Sequence, residues 1–384
     1  MTAEEFLAEH EERLIGLRRD LHAHPELGRN EFRTTELVCD ALSAAGLKPQ
    51  VLAGGTGLTC DVGPEPPTVA LRADLDALPI PDAKDVPYRS TVEGVAHACG
   101  HDVHATVVLG AGLALADLAA RGLLTRGVRL VFQPAEELIP GGALDVIGAG
   151  GLDGIEQMYA VHCDPSVEVG TVGLKNGAVT AASDLLEVRF AGPGGHTARP
   201  HLTVDLVAAM GAVIGAAPGL LARRADPRTG TTLVWGKAEM GTAANVIPTA
   251  GVLAGTVRTL SRATWDALPP LLEEVVRGVL APYGAEIEIA HVRGVPPVVN
   301  VAACVSRLAD AAAAVPGVTV AETVQSLGGE DFAWYLDKVD GAFARLGVRP
   351  PGGGALYDLH QSTFDVDERC IGIGVSLLTA VALS

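Results

Sequence analysis

Two adjacent carboxylates follow a short apolar run in the first half of this chain. Val128–Phe132 is apolar and rich in β-branched residues, which is the pattern of a buried strand, and Glu136 and Glu137 come shortly after it. Neighbouring like charges disfavour each other unless a cation or a shared proton lies between them. The pair therefore indicates a metal ligand beside a general base, although a solvated acidic start of a helix would also explain it in isolation.

Polar side chains also follow two other predicted strands. The strand predicted over Thr68–Asp74 leads into Asp74 and Asp76, and the strand predicted over Gln157–His162 ends on His162. In open parallel sheets, ligands bind outside the carboxyl ends of the strands. We therefore expect these acids and this histidine to lie close to the glutamate pair.

The segment HACGHDVH adds metal-ligand chemistry just before and within a predicted helix. Thiolate, imidazole and carboxylate are the usual ligands of zinc and related metals, and the segment offers Cys99, His101 and Asp102. One such residue alone is more often part of the core, but the set beside three acidic or histidine-bearing strand ends favours a metal site. Asp102 could also N-cap the helix, which we expect to run to Arg121. His104 shares a helical face with His101 and is not counted as a ligand.

Three further polar residues lie in the middle of the chain. His196 stands in the glycine-rich segment GPGGHTARPH, where glycines let backbone amides approach a ligand. Asn245 in NVIP and Arg258 in GTVRT lie at the ends of predicted strands. On spacing alone, Asn245 could equally be a turn residue and Arg258 a solvated strand charge.

The order of predicted elements divides the chain into two domains. In residues 1–179 and 293–384 strands alternate with helices, which is typical of a largely parallel sheet covered on both faces. Residues 180–292 show the order strand, helix, strand, strand, helix, strand, which is the ferredoxin-like split pattern. The second helix of that pattern is expected to break near Pro269 and Pro270. The predicted fold is α/β with an inserted ferredoxin-like α+β domain.

Composition limits the classes of partner. The chain has 28 basic and 46 acidic residues and a net charge of −18, a field that repels nucleic acid and anionic membranes. The acidic N-terminus is unlike a signal peptide, and Val107–Ala120 is too short to span a bilayer, so we expect a cytoplasmic protein. The six cysteines are scattered without a disulfide framework.

Eight segments occur in this order along nearly the whole chain: RRDLHAHPELG, LRADLDALP, HACGHDVH, VFQPAEE, GGHTARPH, NVIP, GGEDF and LHQSTFDVDE. Together they resemble the M20 family of metallopeptidases, and in particular its branch of amidohydrolases that cleave N-acyl amino acids. The resemblance implies a catalytic domain with two metal ions in residues 1–179 and 293–384, and a lid domain in residues 180–292. The motifs are much less specific for the substrate than for the family.

The resemblance also implies roles for individual positions. Glu136 would be the general base, Asp74 would orient a ligand or the base, and His196 would support the oxyanion. Asn245 and Arg258 would be candidates for holding the substrate carboxylate. The implied metal ligands are Cys99, His101, Glu137, His162 and His360.

One position departs from the wider family. Its peptidase branches carry a histidine ligand two residues before the acid that matches Asp74, and here that position is Arg72, which stays protonated and cannot bind a metal. His101 would supply the missing imidazole, and Cys99 would replace a bridging carboxylate. This pattern resembles the amidohydrolase branch and argues against a di- or tripeptidase.

The implied function is hydrolysis of N-acyl amino acids, with acetyl, benzoyl or similar acyl groups, by an enzyme with two divalent ions. The thiolate and imidazoles favour zinc, while manganese, cobalt and nickel also suit a mixed N, O and S donor set. A deacetylase or carboxypeptidase acting on a peptide-like substrate and a non-catalytic metal-dependent binding protein are the alternatives. We expect a small-molecule substrate and no nucleic-acid or membrane partner. A homodimer through the lid domain is a further expectation.

Overall fold

The computed structural model describes residues 3–353 and 357–384. The chain divides into two compact units. The first unit consists of Met1–Gly177, Val299–Val324 and Asp331–Ser384. The second unit consists of Ala178–Val298 and Gln325–Glu330.

The second unit contains three stretches that the sequence pattern assigns to the other domain, 178–179, 293–298 and 325–330. Backbone hydrogen bonds connect all three. The N–H of Val179 donates to the carbonyl of Val298, and the N–H of Ser326 donates to the carbonyl of Val179. Residues 325–330 form neither a helix nor a strand, so no periodicity in the sequence could assign them.

The α-helices are α1 (Ala3–Ala23), α2 (Phe32–Ala44), α3 (His101–Ala120), α4 (Ala143–Gly148), α5 (Leu206–Arg224), α6 (Arg262–Leu280), α7 (Ala302–Ala313), α8 (Ala333–Leu336) and α9 (Arg369–Leu383). The strands are β1 (Gln50–Val51), β2 (Leu58–Val62), β3 (Pro67–Asp74), β4 (Gly127–Gln133), β5 (Gln157–Glu168), β6 (Thr171–Leu174), β7 (Gly177–Ala178), β8 (Ala182–Ala191), β9 (Gly195–His196), β10 (Thr232–Met240), β11 (Val246–Ile247), β12 (Ala250–Thr259), β13 (Glu286–Val295), β14 (Val299–Asn300), β15 (Thr319–Glu322) and β16 (Asp340–Arg349).

The first unit is built on an eight-stranded sheet in the order β1-β2-β4-β3-β5-β16-β6-β15. β3 is parallel to β4 and to β5, and β5 is parallel to β16. This confirms the prediction of an α/β protein with a largely parallel sheet. The central strands are almost wholly buried, as expected where helices cover a sheet.

The start of α3 differs from the predicted one. α3 begins at His101, so Asp102 lies in the first turn and does not cap the helix. The residue before the helix, Gly100, has a φ of 89° and no side chain that could cap it. A Cβ atom at Gly100 would lie 2.7 Å from Cys163 Sγ, so glycine is needed for the helix to begin this close to β5.

Two helices, α3 and α5, are long and apolar enough to cross a membrane by length and composition alone. For α3, 72% of the most apolar stretch is buried inside the protein, as in the core helix of a globular unit. For α5 the corresponding fraction is 33%. α3 begins six residues before Val107, so it is longer than the apolar stretch considered in the sequence.

The second unit has a four-stranded antiparallel sheet in the order β10-β12-β8-β13. Helices α5 and α6 alternate with its strands along the chain in the ferredoxin-like order. The predicted break in the second helix is wrong, because α6 is continuous through Pro269 and Pro270. Its buried face includes Leu268 and Leu272 on either side of the prolines, so packing outweighs the local cost of proline.

A buried carboxylate joins three parts of the second unit. Asp184 on β8 accepts hydrogen bonds from Trp265 Nε1 at 2.8 Å and from the N–H of Gly294 at 3.0 Å. Its other oxygen lies 2.7 Å from His291 Nε2. Burial by itself would raise the pKa of Asp184, but these hydrogen bonds outweigh it and hold the pKa below its usual range.

We expect Asp184→Asn to lower the free energy of unfolding by about 2 kcal/mol at neutral pH, since hydrogen bonds to a buried charge are lost. Because the folded-state pKa is depressed, this stabilisation is present above the ordinary aspartate pKa and disappears as the pH falls through the lower folded-state value. Urea unfolding at a series of pH values should show the gap to wild type closing in acid. Asp266→Asn, at a side chain that is 52% exposed, is the control. A pH-independent gap would contradict this assignment.

Candidate metal centre

Three of the predicted ligands come from the loop before α3, the first residue of α3 and strand β5. Cys99 Sγ lies 3.5 Å from His162 Nε2. The ligand atoms of Cys99, His101 and His162 all lie within 4.8 Å of one another, and all three side chains are buried. Nδ1 of His162 donates to the carbonyl of Cys163 at 2.8 Å, so Nε2 of the neutral ring is the nitrogen available to a metal.

The strand that carries His162 is longer than predicted. The sequence predicts a strand ending on His162, but β5 continues to Glu168 because it goes on pairing with β16. On its other side, the ladder between β3 and β5 has its last pair at Arg72 and Ala160. Asp74 and His162 each lie two residues beyond that pair, so both are at the carboxyl end of the sheet, where the site lies.

Glu137 and His360 lie beside Cys99. Glu137 Oε1 is 3.3 Å from His360 Nε2 and 4.0 Å from His101 Nε2. The N–H of His360 donates to the carbonyl of Ala98 at 2.7 Å, which holds this segment next to Cys99. The ligand atoms of Cys99, Glu137 and His360 also lie within 4.8 Å of one another.

Glu136 belongs to a third group of close polar atoms. Its carboxylate lies within 4.8 Å of the ligand atoms of His101 and Glu137. The structure therefore brings together the five residues predicted as ligands and the residue predicted as the base. Cys99 is shared by two groups of donors, and the two adjacent glutamates face the same cluster.

Asp74 supports this cluster from the end of β3. Its Oδ1 accepts a hydrogen bond from His104 Nδ1 at 2.7 Å, and its Oδ2 pairs with Arg72 at 2.7 Å. His101 Nε2 lies 3.7 Å from Oδ2. Burial would raise the pKa of Asp74, but His101, Arg72 and His104 hold it well below its usual range. Asp74 is therefore a fixed negative charge beneath the histidines.

Asp76 lies beside the glutamate pair, as the sequence predicts, but the structure gives it a role that the sequence analysis missed. Its two oxygens accept hydrogen bonds from the backbone N–H groups of Glu136 at 3.0 Å and Glu137 at 2.9 Å. Its Oδ1 also lies 3.4 Å from His101 Nδ1. Asp76 thus holds both glutamates and a histidine in place. The alternation of Asp74 and Asp76 in ADLDALP was the available signal, since the strand period of two puts both on one face.

Arg72 connects the GGEDF segment to the metal centre, because it binds Asp331 of that segment as well as Asp74. Besides Asp74, it binds Gln133 through Nε at 3.0 Å and Asp331 Oδ1 at 2.8 Å. Asp331 also accepts from the side chain of Gln133 and from the N–H of Ala143. The buried arginine therefore joins the ends of β3 and β4 to the segment that precedes α8. Arg72 is therefore a structural cation.

The cluster has the features of a cation site. Both ring nitrogens of His101 and Oε1 of Glu137 are buried and have no partner at hydrogen-bond geometry within 3–353 and 357–384, although Asp76 and His360 lie 3.4 and 3.3 Å away. Buried polar atoms left in this state cost free energy unless something binds them. The neighbouring Cys99 and Glu137 side chains raise the pKa of His360 to about 10, so its surroundings favour positive charge. The donor set suits zinc and related transition metals.

The remaining predicted site residues lie in the second unit. His196 on β9 is paired with Val246 on β11, and the N–H of Thr197 donates to the carbonyl of Asn245, so His196 and Asn245 are neighbours. Both side chains are exposed. Arg258 lies on β12, and its guanidinium donates to the carbonyl of Leu327.

Comparison with known proteins places these observations in context. The model of peptidase family M20/M25/M40 matches residues 70–384. The chain is 37% identical over 363 residues to N-acetyl-L-cysteine deacetylase of Bacillus subtilis, covering 94% of this chain and 85% of the relative. A crystal structure from Bacillus subtilis, described as a dinuclear metal binding peptidase from the M20 family, has a TM-score of 0.85 and 33% identity and covers 98% of both chains.

One relative is much longer than this chain. A Rhodococcus jostii protein provisionally named glutamate–cysteine ligase 2-3 is 50% identical over 383 residues. The match covers 99% of this chain but 48% of that relative, so the chain spans about half of its length.

We expect Asp76→Asn to weaken binding of divalent metal by about 10- to 100-fold, because residues that orient metal ligands typically contribute that much. In the variant, the NH₂ group of the asparagine would face one of the two backbone N–H groups that now donate to Asp76, so one of these hydrogen bonds would be lost. Competition with a chelating dye measures the affinity. Asp85→Asn, at an exposed aspartate of the same unit, should bind metal like wild type. Equal affinities in the two variants would exclude this role for Asp76.

Proposed function

The chain belongs to peptidase family M20/M25/M40, and on that premise we propose that it is a metal-dependent hydrolase that cleaves N-acyl amino acids into a carboxylate and a free amino acid. The observation that carries the proposal is the cluster of one thiol, three imidazoles and one carboxylate beside Glu136, in which Cys99, His101 and His162 are buried. A structural zinc site would instead be a closed set of four cysteine or histidine ligands.

We propose that the cluster holds two divalent ions. The group of Cys99, His101 and His162 and the group of Cys99, Glu137 and His360 share the thiol, which suits two neighbouring ions. The similar dinuclear protein of Bacillus subtilis supports the number. Zinc is the first candidate, and manganese, cobalt or nickel also suit these donors. When bound, such ions supply Lewis acidity toward the amide carbonyl and activate water near neutral pH.

In the proposed mechanism, Glu136 and Glu137 divide the work. Glu137 faces His101 and His360 and acts as a ligand, so its oxygens are not available to accept a proton. Glu136 accepts the proton of the attacking water and returns it to the leaving amine. Asp76 keeps the two roles apart by holding both backbone N–H groups. Asp74 keeps the histidines oriented.

The second unit would supply the contacts to the substrate. Residues 178–298 contain ten basic and ten acidic side chains, so the excess negative charge of the chain lies outside this stretch. A substrate carboxylate is therefore repelled less here, and Asn245 and Arg258 are the proposed groups that hold it. His196 is the proposed donor to the oxyanion. We also propose that the second unit forms a homodimer, so that His196 serves the metal centre of its own chain or of the partner chain. A cytoplasmic location is likewise part of the proposal.

Cysteine derivatives are the first finer substrate class to test. The Bacillus relative is named for deacetylation of N-acetylcysteine, and the longer Rhodococcus relative is provisionally named for ligation of glutamate to cysteine. A free cysteine released from its N-acyl form would be the substrate of such a ligation. We therefore propose N-acetylcysteine as a substrate, with other N-acyl amino acids as the broader class.

We expect metal-loaded protein to release free amino acid from a panel of N-acetyl and N-benzoyl amino acids. The rate of cleavage of N-acetylcysteine should exceed that of N-acetylserine, in which a hydroxyl replaces the thiol. Amine release is measured after stripping and reloading with zinc, manganese or cobalt. Faster release from dipeptides with a free N-terminus than from any N-acyl amino acid would favour a peptidase instead.

We expect Glu136→Gln to lose at least about 100-fold in kcat, the usual range for a general base, while it still binds two ions. Glu137→Ala should lose metal, because it removes a ligand. Elemental analysis and initial rates on the same preparations separate the two effects. A Glu136→Gln protein with near-normal kcat would refute the base assignment, and bound metal with no turnover of any substrate in wild type would favour a binding protein.

A further inference from the structure

The N-terminal segment RRDLHAHPELG has no part in the proposed reaction, yet it contains a fully buried arginine. Arg18 on α1 has a side-chain exposure of 0%. Its Nε donates to Asp102 Oδ2 at 2.8 Å. Its terminal nitrogens donate to Asp365 Oδ1 at 3.1 Å and to Glu368 Oε1 at 3.3 Å. One cation therefore serves three carboxylates.

These carboxylates belong to two of the segments that carry metal-ligand candidates. Asp102 directly follows His101 in the first turn of α3. Asp365 and Glu368 follow His360 on the segment that leads into α9. Arg18 thus connects two segments that are separated by more than 250 positions along the chain.

A second set of contacts ties in the segment that leads to Cys99. Nδ1 of His22, one turn after Arg18, lies 2.7 Å from Asp102 Oδ2, and Nε2 lies 3.3 Å from Asp82 Oδ2. The hydroxyl of Tyr88 donates to Asp365 at 2.9 Å, and the guanidinium of Arg18 lies 5.0 Å from the centre of the Tyr88 ring. Tyr88 therefore contacts Arg18 directly, and Asp82 is connected to α1 through His22.

The energetics make this contact hard to replace. A buried ion pair that loses one partner leaves an uncompensated charge, which costs several kcal/mol. The flat guanidinium can donate to all three carboxylates at once, whereas a lysine ammonium is a point charge on a flexible stem. Loss of this geometry would let the segments bearing His101 and His360 move relative to each other.

We propose that Arg18 is a positioning residue for the metal centre, which holds the segments of Cys99, His101 and His360 in the arrangement that binds metal. The inference rests on the ligand set of the proposed function, but not on the proposed substrate. Arg18 touches none of these ligands, so it acts through Asp102, Asp365 and Glu368. Metal affinity, rather than proton transfer, should depend on it.

Arg18→Lys tests the proposal, with Arg19→Lys as the matched control. Arg19 is the next residue along α1 and is 49% exposed. Of the three carboxylates that Arg18 binds, Arg19 pairs with Glu368. Metal dissociation constants come from competition with a chelating dye, and thermal unfolding of the metal-free proteins reports stability separately. We expect Arg18→Lys to bind metal about 10- to 100-fold more weakly and Arg19→Lys to stay within about twofold of wild type.

Turnover gives a second readout. Saturating metal should restore much of the kcat of Arg18→Lys, since its base is intact, whereas Glu136→Gln should not recover. A folded Arg18→Lys protein with wild-type metal affinity would overturn the inference, whatever its unfolding temperature. If wild type itself binds no metal, the proposed ligand set fails instead, so the two failures are distinguishable.

A milder variant covers the case in which Arg18→Lys does not fold. Asp365→Ala removes one acceptor of Arg18 and leaves the pair with Asp102 in place. We expect it to weaken metal binding severalfold. Wild-type affinity in the folded Asp365→Ala protein would likewise contradict the role of Arg18.

Discussion

The compensation of buried negative charge is the constraint on which the first unit depends. Asp74, Asp76, Asp102 and Asp331 are each at most 1% exposed. A buried carboxylate is tolerated only where cations or hydrogen-bond donors offset the loss of water. Two buried arginines supply the fixed cations, Arg72 for Asp74 and Asp331, and Arg18 for Asp102. At the cluster around Cys99, the proposed metal ions would be the cations that offset the negative charge.

The same constraint shapes the turn that carries the two glutamates. Ala135 has a φ of 55°, an uncommon conformation for a residue with a side chain. Its N–H donates to the buried carboxylate of Glu31 at 2.7 Å, and the next two N–H groups donate to Asp76. Three consecutive backbone donors are thus held by two carboxylates. These bonds fix the backbone of the two neighbouring acids, for which we propose separate roles.

Periodicity was sufficient to predict most of the architecture. The buried strands β3 and β4 are apolar runs, and the ferredoxin-like order of the second unit follows from alternating and helical spacing, because each element buries one face. The prediction went wrong where tertiary packing overrides local preference, as at Pro269 and Pro270 inside α6, and where a strand continues past a polar residue, as β5 does at His162.

The sequence by itself determined which residues could bind a metal, because cysteine, histidine and glutamate side chains carry that chemistry wherever they lie. Only the tertiary structure decided which residues hold them in place. Arg18 meets a partner 84 positions away in Asp102, and Arg72 meets one 259 positions away in Asp331. Such pairs leave no periodic signal, since they depend on how distant segments pack. A buried arginine and a solvated one look identical in a sequence, and only burial and distance separate them.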